Sequence, residues 1–221
     1  MARIAKMKKL PDTIKLVVFD LDGTLADAYQ AICDSINFMM RRMGKPRQRL
    51  HVVKRSVGHG VDGLIRCFVE EKFVDEALMI FREHHDKRLR DGIKLLPGAK
   101  KVLAALKKRG CRMAIASNRP ARFCHIILKQ LKIGHYFDWV ICGDAVKHPK
   151  PYPDMLKLIL KNAGVKASEV LYVGDMTVDI ECGRRAKVFT IAVPTGSSTL
   201  TEIKACKPGL IIPGLRQFPL F

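Results

Sequence analysis

Short apolar runs alternate with amphipathic stretches along most of this chain. Leu16, Val17, Val18 and Phe19 form an unbroken apolar run bounded by polar residues, the pattern of a parallel strand buried on both faces. From Tyr29 to about Arg90 the period is helical and no strand is predicted. One helix carries Ile32, Ile36, Met39, Met40 and Met43 and stops at Gly44 before Pro46; its methionines read as core packing. A short helix follows Gly58-His59-Gly60, and a third runs from about Asp75 to Arg90. Beyond Leu95-Leu96-Pro97-Gly98 the pattern predicts helices over 99–109, 121–132, 151–163 and 177–186, and a short one near 199–205. Between them it predicts strands over 112–117, 138–142, 169–173, 188–193 and 210–212.

Strands alternating with helices of this length imply a parallel sheet with helices on both faces: an α/β, Rossmann-like core. The helical stretch interrupts it after the first strand. We therefore expect a core of residues 12–26 and 93–221, a helical insertion over 27–92, and a basic tail over 1–11. The 221 residues, 48% hydrophobic and 28% charged, are enough for one substantial core with an insertion. No apolar run approaches the roughly 20 residues of a membrane span, and no apolar segment follows the basic N-terminus as in a signal peptide. The seven cysteines are scattered and none forms Cys-x-x-Cys, so buried free thiols in a reducing cytoplasm are expected. His84 and His85 are adjacent, do not share a helix face, and are read as surface residues. The net charge of +19 is spread in short clusters without interleaved aromatics. It would attract phosphorylated substrates and leaves nonspecific nucleic-acid binding open, but predicts no specific nucleic-acid partner.

Chemistry concentrates where strands end. Asp20 and Asp22 follow the first strand; positions i and i+2 point the same way, so two carboxylates leave the strand side by side. Such a pair is costly unless a cation or a shared proton joins it. Gly23 permits a sharp turn, and Thr24 offers a hydroxyl and an N–H to an anion. Ser117 and Asn118 end the second core strand and Asp175 the fourth. Ligands of open parallel sheets bind at these carboxyl ends. Core packing does not require a small or acidic polar residue at the end of several strands.

Four segments, in order, resemble the motifs of the haloacid dehalogenase superfamily: Asp20-Leu21-Asp22-Gly23-Thr24-Leu25, Ser117-Asn118-Arg119, Lys150 in His148-Pro149-Lys150-Pro151, and Gly174-Asp175-Met176-Thr177-Val178-Asp179. Most members are phosphatases. The resemblance implies that Asp20 attacks phosphorus to form an aspartyl-phosphate. Asp22 then protonates the leaving alkoxide and activates water. Magnesium would be held by Asp20, Asp22 (through its backbone carbonyl) and Asp175, an oxygen-only set suited to that ion. Thr24, Ser117 and Asn118 would contact phosphate oxygens, Lys150 would neutralise charge, and Asp179 would hold Lys150 or a metal-bound water.

Within the superfamily the chain is most similar to the phosphoglycolate phosphatase group, which carries a helical cap as an insertion. The stretch from Val57 to Leu64 resembles a cap loop that dips toward substrate, which makes His59 and Gly60 candidate substrate contacts. Ala28 stands where the group commonly has Ser, and Lys187 where a Gly commonly ends a helix. The expected activity is magnesium-dependent hydrolysis of a small phosphate monoester, with 2-phosphoglycolate the best single substrate, by a cytoplasmic monomer or homodimer. Pyrophosphatase, nucleotide or sugar-phosphate phosphatase and sugar-phosphate mutase share the core. A mutase is disfavoured by the lack of His between Tyr29 and Cys33, and a dehalogenase by the presence of Asp22 and Asp175. A noncatalytic nucleic-acid-binding protein is the reading from another class; the intact acidic set argues against it.

Overall fold

The apolar run Leu16–Phe19 is β1, inside a six-stranded sheet of the computed structural model, which describes residues 10–221. Its four side chains are fully buried, and they alternate between two cores. Val17 and Phe19 pack into one core, Leu16 and Val18 into the other, which is why no position in the run is polar. In chain order follow β2 (Ala26–Asp27), α1 (Tyr29–Arg42), α2 (Leu50–Ser56), α3 (Gly60–Arg66), α4 (Val74–Arg88) and β3 (Lys94–Leu95). After them come α5 (Ala99–Lys108), β4 (Arg112–Ser117), α6 (Ala121–Gln130), β5 (Trp139–Cys142), α7 (Asp154–Ala163) and β6 (Val170–Gly174). The chain closes with α8 (Thr177–Ala186), β7 (Phe189–Ala192), α9 (Leu200–Ala205) and β8 (Leu210–Ile211).

The sheet order is β5-β4-β1-β6-β7-β8, with every pairing parallel. Helices cover both faces, as the alternating pattern predicts. Val102, Leu103 and Leu106 of α5 and Phe123 and Ile127 of α6 share the core of Val17 and Phe19. Met155, Leu156 and Ile159 of α7 and Cys182 and Ala186 of α8 share that of Leu16 and Val18. From β1 the sheet grows outward through β4 and β5, and the chain then returns to β6 on the other side of β1, so the crevice at the carboxyl end of β1 is the site such topology offers to ligands.

Between β2 and β3 the regular structure is all helical. The stripe Ile32, Ile36, Met39 and Met40 of α1 is buried, as expected of core packing. The pattern did not separate α2, nor the two-residue antiparallel ladder Ala26↔Leu95 and Asp27↔Lys94, which closes the base of the helical segment. Ala28 caps α1 without a side-chain hydrogen bond; Asp27 Oδ1 instead accepts from the Tyr29 N–H at 3.3 Å. Lys187 ends α8 in the left-handed conformation, φ 59°, where a glycine would sit without strain. The cysteines are free; five are buried, but Cys67 is exposed and Cys206 half-buried. Over 1–9 the expected basic tail lies outside the described residues. Among those residues no helix is long and apolar enough to cross a membrane.

Candidate active site

The carboxyl ends of β1, β4 and β6 bring three of the four motifs together, and the loop before α7 and the first turn of α8 complete the set. Asp20, Asp22, Thr24, Ser117, Lys150, Asp175 and Asp179 are all buried. The Lys150 ammonium spends its three protons on Asp20 Oδ1 (2.6 Å), Asp179 Oδ1 (2.7 Å) and the Ala116 carbonyl (3.0 Å). Asp179 is fixed in turn by the Tyr172 hydroxyl (2.7 Å) and the Met176 N–H (2.9 Å). Asp175 accepts from the Thr24 hydroxyl (3.2 Å) and the Ser197 N–H (2.9 Å). Two glycines make room for it. At Gly23, where φ is 82°, a Cβ would lie 2.6 Å from Asp175 Oδ2; at Gly196 it would lie 1.6 Å away.

Carboxylate oxygens of Asp20, Asp175 and Asp179 lie within 4.8 Å of one another. The Lys150 ammonium bonds two of them, Asp20 and Asp179. Burial, with the charges of Asp179 and Asp22 against the opposing pull of Lys150, pushes the Asp20 carboxyl up to about 7. Burial and the charges of Asp20 and Asp179 hold Asp175 well above the usual carboxylate range. For Lys150, burial is outweighed by Asp179 and Asp20, and the ammonium stays protonated. A cluster of hard oxygen donors with surplus negative charge fits a divalent cation. Asp20 and Asp175 are the members not held by Tyr172 and the N-terminus of α8.

The structure assigns other partners to several expected phosphate contacts. The Thr24 hydroxyl is taken by Asp175. Asn118 donates from Nδ2 to the carbonyls of Gly58 (2.8 Å) and Lys150 (2.8 Å), and its Oδ1 accepts from the Lys150 N–H (2.8 Å). Its side chain is thus a clamp joining β4, the lysine loop and the loop before α3. Ser117 lines the cavity between the helical segment and the sheet, together with Asp20, Asp22, Arg119 and Lys150. That cavity is about 50 Å³, room for a few waters. Gly60 lines it; His59 is exposed and does not.

Two residues were missed. Arg119 stands in the second motif but drew no role; it is buried and grips Asp22 with both ends of its fork, Nε to Oδ2 (2.7 Å) and the second terminal nitrogen to Oδ1 (2.9 Å). His85, expected at the surface, is fully buried against Phe81 and Phe123. It continues the buried stripe Ala77, Leu78 and Phe81 of α4, and that spacing was the signal in the sequence. Adjacent on the helix, His84 and His85 both place Nδ1 within reach of Ser35 Oγ, at 3.1 and 3.0 Å.

Comparison with known proteins adds the following. The sequence model of the family described as haloacid dehalogenase-like hydrolase matches residues 17–193. A phosphoglycolate phosphatase of Pseudomonas savastanoi pv. phaseolicola is 33% identical over 218 residues, 95% of this chain and 79% of that protein. A second, from Pseudomonas fluorescens strain Pf-5, is 34% identical over 91% of this chain and 77% of its own length. Among solved structures, a predicted phosphoglycolate phosphatase from Haemophilus somnus superposes with a TM-score of 0.87 at 26% identity, over 91% of this chain and 95% of that one. CbbY from Rhodobacter sphaeroides, solved with phosphate, reaches a TM-score of 0.82 at 21% identity over 93% and 96%, a likeness of fold.

Proposed function

This chain belongs to the haloacid dehalogenase-like hydrolase family, and we propose that it hydrolyses 2-phosphoglycolate through an aspartyl-phosphate on Asp20. Its family and its relatives make it a phosphoric monoester hydrolase; substrate and order of steps are our reading. The observation that carries the reading is the convergence of Asp20, Lys150, Asp179 and Asp175 in one buried cluster at the carboxyl end of the sheet.

In this reading Asp20 Oδ attacks phosphorus and the bond to the ester oxygen breaks as Asp22 delivers a proton to that oxygen. Water then attacks the acyl phosphate, Asp22 takes its proton, and Asp20 is released with inorganic phosphate. Lys150, anchored by Asp179 and Ala116, orients Asp20 and offsets charge on the phosphoryl oxygens. Ser117 and the Thr24 N–H would bind those oxygens. Asp20, the Asp22 carbonyl and Asp175 would hold magnesium, which supplies the positive charge that lets an anionic nucleophile meet an anionic ester. The helices of 27–92 would act as a cap, with Gly60 facing the substrate. The cavity of about 50 Å³ has room for a few waters, and the cap would shift as the ester enters.

The test is phosphate release from a panel of esters, with magnesium or with a chelator, by the wild type and by Asp20→Asn. Magnesium-dependent release that the variant lacks, fastest on 2-phosphoglycolate, is expected. A different preferred ester would replace the substrate, and release by Asp20→Asn at the wild-type rate would refute the covalent step.

A further inference from the structure

Asp22 is fully occupied by a group that the mechanism above does not use. The guanidinium of Arg119, 7% exposed, donates to both Asp22 oxygens, at 2.7 and 2.9 Å. Its remaining terminal nitrogen meets His85 Nε2 at 2.9 Å. A guanidinium only donates, so Nε2 must accept, and the ring proton of a neutral His85 sits on Nδ1. The rest of the chain agrees. Nδ1–H donates to Ser35 Oγ at 3.0 Å, and the Ser35 hydroxyl donates to the Ala31 carbonyl at 2.9 Å. Burial, followed by the charge of Arg119, drives His85 down to about 2, so the ring remains an acceptor at any working pH. The helical segment thereby holds Arg119 by one corner while the other two grip Asp22.

A carboxylate gripped at both oxygens faces the guanidinium, and it must loosen that grip to turn a proton toward a leaving oxygen. Opening that pair with nothing in exchange leaves a buried guanidinium and a buried carboxylate unpaired, which is costly. A substrate bearing its own carboxylate offers an exchange of like for like, because the fork fits any carboxylate with two parallel hydrogen bonds. In a 2-phospho acid that carboxylate is borne by the carbon that also carries the ester oxygen. Seating it on Arg119 therefore brings the ester oxygen to the place where Asp22 has just been released. The other cation lining the cavity, Lys150, has no proton to spare, since Asp20, Asp179 and Ala116 take all three.

We propose that Arg119 determines specificity for phosphate esters of 2-hydroxy acids by passing its fork from Asp22 to the substrate carboxylate, and that His85 is the positioning residue that anchors it during the exchange. The proposal rests on the reading of Asp22 as acid and base, and extends it from one substrate to a chemical class.

The experiment compares kcat/KM for 2-phosphoglycolate and for ethyl phosphate, in which a methyl group replaces the carboxylate. The proteins are the wild type, Arg119→Lys, His85→Leu and His85→Gln, all with magnesium, and thermal melts establish that each is folded. The ratio of the two values is expected to fall roughly tenfold to a hundredfold in Arg119→Lys, which loses the fork, and in His85→Leu, which loses the anchor. His85→Gln, whose amide oxygen can accept from Arg119, should recover most of it. A purely structural role would depress both substrates together and leave the ratio unchanged. Magnesium-dependent turnover of both esters, with a ratio that neither Arg119→Lys nor His85→Leu alters, overturns this proposal and spares the phosphatase. If Arg119→Lys does not fold, the contrast between the two His85 variants decides alone. No turnover of either ester by the wild type overturns the phosphoglycolate reading and this proposal with it.

Discussion

Replacing Asp20, the proposed nucleophile, with Asn should stabilise the metal-free protein, while the proposed mechanism requires the same change to abolish turnover. In the folded chain the Asp20 carboxyl is pushed from 3.8 up to about 7, by burial first and then by Asp179 and Asp22 against the pull of Lys150. The unfolded chain gives up the same proton near 3.8. Between these values the folded state binds more protons, so stability falls as pH rises, and the loss is complete above about 7. At about 1.4 kcal/mol per pH unit the full loss is on the order of 4 kcal/mol. Asn cannot ionise and escapes it. Asp175, raised by burial and by Asp20, is relieved in the same direction when the charge at position 20 goes. His85 acts with opposite sign, because a histidine depressed to about 2 destabilises the fold in acid; it is common to both proteins and cancels from their difference.

With a chelator at about pH 8, Asp20→Asn should therefore melt above the wild type, by up to about 8–16 °C at roughly 2–4 °C per kcal/mol for a chain of this size. Near pH 4 the difference should vanish. Magnesium at about a hundredfold its Kd should raise the wild type by about 2.7 kcal/mol, and the variant, which lacks one of the proposed carboxylate ligands, by less. The assay is a thermal melt at each pH, with chelator and with magnesium. A variant that melts no higher than the wild type at about pH 8, or a gap that does not change with pH, would refute the account of surplus negative charge in the cluster.

Two further outcomes follow from the same geometry. Gly196→Ala places a methyl 1.6 Å from Asp175 Oδ2 and must displace that carboxylate; we expect about 1–3 kcal/mol of destabilisation, loss of the magnesium-induced rise in melting temperature, and loss of phosphate release. Lys187→Gly relieves a left-handed residue at the end of α8 against the added freedom of the unfolded chain; a gain of up to about 1 kcal/mol is expected in urea unfolding, with turnover unchanged.

What could be read from the sequence, and what could not, divides by the range of the interaction. β1 was legible because burial on both faces leaves a local mark, four apolar residues in a row. The acids of the cluster were legible because each stands immediately after a strand or in the first turn of a helix, so local pattern and position coincide. The ladder of β2 and β3 leaves no mark, since two residues have no period. Partners are harder again. Asn118 looks like any polar residue at a strand end, and only its three hydrogen bonds to Gly58 and Lys150 show that its side chain is consumed in joining loops. Arg119 lies 97 residues from Asp22 and 34 from His85, and no spacing rule connects them. A pattern can nominate a carboxylate for proton transfer, but whether that carboxylate is free to act depends on the cation folded against it. Asp179 was legible as a restraint on Lys150 because it stands in the first turn of a helix, whereas Arg119, the restraint on Asp22, was not, because its contacts join distant segments. Substrate preference should follow the same division: the family's reaction belongs to residues at strand ends, while the choice of ester belongs to the contact between α4 and the loop after β4.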